Sequence, residues 1–184
     1  MCSLPRVICI AYSPMSSTDF AVQKAAISGR FDKDSEFNLL WRPQYVTNFP
    51  TALAQVPLPL MWKNCKFVST AAQIVPDKCG VYCFAVDFGP PFPERIHVPL
   101  YFGKAANQFL SERFDDYLKE RHKTSGREKI VIMLNLYRDS LYFWWAELPR
   151  VYVDVVEEHL IMCCKPPCNT TDYDRGRHWG KAFE

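Results

Sequence analysis

Gly80-Val-Tyr-Cys-Phe-Ala-Val-Asp-Phe88 is a run of β-branched and aromatic residues with no internal Pro or Gly, and it commits the chain to a sheet. Such residues suit a pleated, half-buried surface. Behind the run comes Gly89-Pro-Pro-Phe-Pro-Glu-Arg95, whose turn formers read as a loop. Residues 96–102 then give a second strand, so the two pair as a long-looped hairpin. Gly103 punctuates it. Residues 105–121 read as a helix, with Leu110, Phe114, Tyr117 and Leu118 close to one face. Two apolar runs, 129–136 and 141–148, flank Tyr137-Arg-Asp-Ser140. The second, with Tyr142, Phe143, Trp144 and Trp145, is strand-like; the first reads equally as a strand or a buried helix. Residues 154–164 form a short amphipathic helix stopped by Pro166-Pro167. The fold class expected is α+β: a small antiparallel sheet of three or more strands flanked by helices.

Upstream, residues 6–12 suggest a short strand, and Ser16-Ser-Thr-Asp19 suits the cap of a helix over 20–27. Pro43, Pro50, Pro57 and Pro59 follow, too dense for a helix ladder or a central strand. Residues 1–77 are therefore expected to be an irregular extension packed on the rest. The chain has 184 residues, 48% of them hydrophobic and 23% charged, which suits one cored domain with an extension and excludes global disorder. A net charge of +2 means that a polyanion would be held by local basic patches and not by the overall field. No apolar run approaches the roughly 18–20 residues of a spanning helix, and the N-terminus has no adequate signal-peptide core. A cytoplasmic protein with reduced thiols is expected. Among the eight cysteines, Cys79/Cys83 and Cys164/Cys168 have the look of zinc pairs. In a strand, however, positions i and i+4 lie roughly 13 Å apart, too far for two thiolates on one ion. Small buried hydrophobes are the expected role.

Gly80-Val81-Tyr82, Tyr101-Phe102-Gly103-Lys104-Ala105, Glu157 with Leu160-Ile161, and Pro166 with Asn169 come in that order along the chain. Together they resemble the signatures of the GIY-YIG nuclease superfamily. The last two groups are the more telling: Leu and Ile stand three and four residues after the Glu, Pro nine after and Asn twelve after. The resemblance covers about 78–170, which it marks as a GIY-YIG-like nuclease domain. It says nothing about 1–77, and 171–184 becomes a basic aromatic tail. A restriction-type or defence-associated stand-alone endonuclease is the subtype that chain size suggests.

The resemblance implies a division of labour that the chemistry of phosphodiester hydrolysis requires: a base for water, a cation for the phosphate and a metal near the leaving oxygen. Tyr82 would be the base-side phenol, and Tyr101 would help to orient the attacking water. Lys104 would be the cation that lowers the Tyr82 pKa or shares its proton, since an unperturbed phenol titrates near 10. Arg113 would grip the scissile phosphate with its fork. Glu157 would hold one divalent ion per site, Mg²⁺ or Mn²⁺, with water and phosphate completing its shell. Asn169 would fix the loop beyond the metal helix. Arg113 falls ten residues past Gly103, so a helix that starts late, through a turn at Asn107-Gln108, is what would bring it round to the site. Each residue has a plainer reading. Tyr82 and Tyr101 make ordinary cross-strand aromatics, Arg113 a surface charge, and Asp154-x-x-Glu157 a capping box. Helical geometry separates the neighbouring acids, because Glu158 lies about 200° from Val156 and Leu160 while Glu157 borders the core face.

Two basic clusters suit a nucleic-acid backbone: Lys119, Arg121, Lys123, Arg127 and Lys129, and the tail residues Arg175, Arg177, Trp179 and Lys181, whose indole can stack. Double-stranded DNA is the expected partner, with a homodimer or a partner protein supplying added affinity; no membrane is expected. Nothing in the residues separates DNA from RNA. The competing expectation is a GIY-YIG-like module that has lost catalysis and serves as a nucleic-acid-binding or regulatory subunit.

Overall fold

The computed structural model describes residues 53–89, 95–123 and 127–169. The strand expected over 6–12, the helix over 20–27, most of the loop after Phe88 and the basic tail lie outside them. Within them the order is β1 (Trp62–Lys66), a short 3₁₀ turn (Ser69–Ile74), β2 (Gly80–Phe88), β3 (Ile96–Ala105), α1 (Leu110–Glu120), α2 (Glu128–Leu136), β4 (Leu141–Glu147) and α3 (Arg150–Cys164). The strands form one antiparallel sheet in the order β1-β4-β2-β3, so the expected α+β class holds.

β2 is central and both of its faces are covered, which is why its sequence is apolar without interruption. Tyr82, Phe84 and Val86 point to the face roofed by Phe114 and Tyr117 of α1 and Met133 and Leu134 of α2. Val81, Cys83 and Ala85 point to the opposite face, where α3 brings Val153, Val156, Ile161 and Cys163. Leu53 and Val56 pack on this second face as well. Cys83, Cys163, Cys164 and Cys168 are buried and free. Burial pushes the Cys83 thiol well up.

Several elements differ from the sequence reading or settle an alternative it left open. β1 was not expected; it sits at the sheet edge with Lys63 and Lys66 outside, so it has charge where a buried strand would show an apolar pattern. β3 runs three residues further than expected, through Ala105. α1 consequently starts at Leu110, after a bend at Ala106-Asn107-Gln108. Its start is fastened twice: the Phe109 N–H donates to the Glu112 carboxylate at 2.7 Å, and the Leu110 N–H donates to the Lys78 carbonyl at 2.9 Å. The run 129–136 is a helix and not a strand. Its apolar residues are continuous because Ile130, Val131, Ile132, Met133 and Leu134 are all buried. α3 begins at Arg150, four residues early, so Asp154 and Glu157 are interior positions and the capping-box reading falls.

Candidate active site

The alternation of β2 sends Tyr82 into the α1 face, and the register sets Tyr82 opposite Gly103. The ring lies across that glycine: a Cβ built there would stand 2.5 Å from both Cζ and Oη of Tyr82. Any side chain at 103 would therefore displace the phenol. Tyr82 is 2% exposed, and its hydroxyl shares a 2.9 Å hydrogen bond with Tyr117. Tyr101 stands on the same face, with its ring 6.3 Å from Tyr82 and 6.1 Å from Tyr117. Three phenols thus gather under α1. Burial, then the neighbouring Tyr117 and Tyr101, push the Tyr82 hydroxyl well above the ordinary phenol range, and only Arg113 pulls it down. Burial likewise raises Tyr117.

Lys104 pairs with Val81, so it belongs to the opposite face, under α3. Its ammonium stands 2.9 Å from Asp154 Oδ1 and 2.9 Å from Glu157 Oε2. Asp154, then Glu157, hold it protonated above the ordinary lysine range. The cation acting on Tyr82 is thus Arg113, and not Lys104 as the sequence suggested, because the strand pleat turns neighbours 103 and 104 to opposite sides. Glu157 is 8% exposed and Glu158 less deeply set, in agreement with the helical geometry. Burial raises the Glu157 carboxyl, while Lys104 and then Arg113 oppose that.

Arg113 connects the two sides. The late start of α1 brings it within electrostatic reach of both the Tyr82 phenol and the Glu157 carboxylate. Its Nε is buried with no hydrogen-bond partner. Asn169, just past α3, clamps β3 from its open edge: its Oδ1 accepts from the Phe102 N–H at 2.9 Å, and its Nδ2 donates to the Phe102 carbonyl at 2.8 Å. With the Cys168 N–H donating to the Leu100 carbonyl at 3.0 Å, the segment after α3 mimics a strand along β3 up to the site.

Tyr117 was read from sequence only as part of an apolar stripe. The signal that could have singled it out is its place four residues after Arg113, hence on the same helix face. Of the basic cluster, Lys119 and Lys123 are exposed, Lys129 donates to the Pro167 carbonyl at 3.2 Å, and Arg127 pairs with Glu120. Arg121 also lies in this stretch. Arg175, Arg177, Trp179 and Lys181 fall outside the described residues.

Of the two carboxylates that meet Lys104, Glu157 is the buried one. Among the described residues no three Asp, Glu, His or Cys groups converge as a cage. Glu157 Oε2 is buried and meets Lys104 as an ion pair without aligned hydrogen-bond geometry. A hard ion that keeps several waters and takes phosphate oxygens needs only one or two carboxylates, so Glu157 fits such an ion. No helix among the described residues is long and apolar enough to cross a membrane.

No protein-family model matches the chain, and no curated protein matches it. Solved structures of the GIY-YIG N-terminal endonuclease domain of UvrC from Thermotoga maritima are similar to it. The magnesium-bound form is 24% identical, with a TM-score of 0.38, and the match covers 55% of this chain and 93% of that domain. Two point mutants of the domain, each bound to its catalytic divalent cation, are 22% identical with the same coverage and TM-score.

Proposed function

We propose that the protein is a metal-dependent endonuclease that hydrolyses phosphodiester bonds of DNA at the edge of β3. The observation that supports this reading most is Arg113, a cation with an unpartnered buried Nε whose charge reaches both the Tyr82 phenol and the buried Glu157 carboxylate. A phosphate bound there would supply the missing acceptor. The hydroxyls of Tyr101 and Tyr82 would then orient the attacking water, with Tyr101 the less buried of the two, while the water's proton passes to bulk solvent. Glu157 would hold the divalent ion, which when bound stabilises charge on the leaving oxygen. Lys104 opposes the effect of burial on the Glu157 carboxyl, Asp154 retains Lys104 close by, and Asn169 fixes the strand that carries both Tyr101 and Lys104.

The deep burial of the Tyr82 hydroxyl favours a second reading, a nucleic-acid-binding subunit of this fold without catalysis. One assay decides between them. Purified protein is incubated with plasmid, single-stranded DNA and RNA in Mg²⁺ or Mn²⁺, beside Glu157→Ala and Arg113→Ala. Cleavage by the parent that both variants lack, and that chelation abolishes, supports the nuclease. Binding without cleavage on every substrate supports the subunit, and cleavage of RNA alone replaces DNA as the substrate. A restriction-type or defence setting would show as cleavage at one short sequence, read from the fragment ends.

A further inference from the structure

Glu120 ends α1 and Arg127 immediately precedes α2, so the two bracket the turn between the helices. The Arg127 guanidinium donates from Nε to Glu120 Oε1 at 3.0 Å and from one terminal nitrogen to Oε2. Its other terminal nitrogen lies 3.4 Å from the Tyr101 hydroxyl and 3.4 Å from the Tyr117 hydroxyl. The guanidinium carbon stands 5.0 Å over the Tyr117 ring. We infer that Arg127, locked by Glu120, is a positioning residue that orders the hydroxyls of the phenol cluster, and that it is not a contact to the nucleic-acid backbone.

The Glu120 side chain is only 11% exposed, so a phosphate that took the bidentate face of Arg127 would leave a buried carboxylate without its cation, an arrangement that is strongly disfavoured. The basic run around Arg127 is therefore divided: Lys119 and Lys123 face solvent, while Arg127, with its side chain 49% exposed, turns its donors to Glu120 and the phenol hydroxyls. A guanidinium has five donors and no acceptor, so it can only donate to the two phenol oxygens. The Tyr117 oxygen, which also shares a 2.9 Å hydrogen bond with the Tyr82 hydroxyl, is thereby held at the centre of the cluster. Arg127 thus fixes the positions of the Tyr101 and Tyr117 oxygens and, through Tyr117, that of the Tyr82 hydroxyl. The charged and titratable groups around Tyr117 are Tyr82 and Tyr101 from the sheet, Arg113 and Glu120 from its own helix, and Arg127 itself.

The inference rests on the nuclease reading, and the test keeps the two apart. Cleavage rates against DNA concentration, and metal-free DNA affinity across a salt series, are measured for the parent, Arg127→Gln, Arg127→Lys and Glu120→Gln. A kcat lowered about 100-fold is expected for Arg127→Gln, the scale of a misplaced catalytic group, with KM and the salt slope of binding unchanged and part of kcat restored by millimolar guanidinium. Arg127→Lys keeps the charge beside Glu120 but cannot span two phenols; native thermal stability with the same loss of kcat is expected. A salt slope reduced by about one with kcat kept is the mark of a phosphate contact and overturns the inference; so does parental kcat in Arg127→Lys. If the parent cleaves nothing, the nuclease reading fails, and the positioning role is judged separately by ¹⁹F spectra of fluorotyrosine-labelled protein. The Tyr101 and Tyr117 signals must shift in Arg127→Lys and in Glu120→Gln, and unmoved signals overturn it.

Discussion

The Lys104 ammonium lies 2.9 Å from Oε2 of Glu157, and it is the cation in contact with a carboxylate that α3 has carried into the fold. Asp154 stands equally close to the same nitrogen but is 72% exposed, so only one side of this three-group contact is desolvated.

That asymmetry sets the response to mutation. Glu157→Gln removes a buried charge and leaves Lys104 with Asp154, so its thermal midpoint should match or exceed that of the parent while metal-dependent cleavage disappears. Lys104→Met strands the Glu157 carboxylate and should destabilise the fold by about 1–3 kcal/mol, less than for a fully buried pair because Lys104 is 39% exposed. Urea denaturation at neutral pH compares the two; equal losses would show that the pair is not asymmetric.

Gly103→Ala should destabilise by about 1–3 kcal/mol, the usual range for overpacking, because the new methyl would stand 2.5 Å from the Tyr82 ring tip. Tyr82→Phe should not relieve it, since Cζ itself is among the atoms in the way. A double-mutant cycle by urea denaturation checks this: recovery of stability in the double variant would place the clash on the hydroxyl alone.

Arg113→Met should leave the free protein as stable as the parent or slightly more so, because the buried Nε that lacks an acceptor is gone. Cleavage should fall to background in the same variant. Thermal melts beside the plasmid assay read both quantities. A large loss of stability would mean that the guanidinium is structural.

Asn169→Ala breaks two hydrogen bonds to the Phe102 backbone and should cost about 1–3 kcal/mol. Hydrogen exchange at the Phe102 amide should speed up more than exchange at β2 amides. Uniform loss of protection would argue against a local clamp.

Alkaline pH should unfold the chain by way of its thiols. Burial pushes Cys163 up to about 11 and Cys164 and Cys168 up to about 12, from an ordinary 9.0. Across that window the folded state holds more protons than the unfolded state, so stability is complete below about pH 9 and drains away as pH rises toward 12. Urea midpoints over this range should fall less steeply in Cys164→Ala and Cys168→Ala.

Much of this architecture was legible in sequence because local pattern and burial agree. The aromatic, β-branched run of β2, the stripe Leu110-Phe114-Tyr117 and the stop at Pro166-Pro167 all announce their elements directly. Trp62–Lys66 does not, since an edge strand with lysines outside has no apolar alternation to read. The run of α2 was ambiguous because a helix buried on most sides loses its 3.6-residue period.

The order of Tyr82, Tyr101, Glu157 and Asn169, and the inward side of Glu157, are fixed by residue type and helical or strand period, which act over a few residues and can be counted along the chain. Which groups meet is another matter. That Lys104 turns away from Tyr82, that α1 starts late enough to bring Arg113 within electrostatic reach of phenol and carboxylate, and that Arg127 folds back onto Tyr117 all depend on strand register and on where β3 stops. Those are set by packing between segments remote in sequence, and no local pattern encodes them.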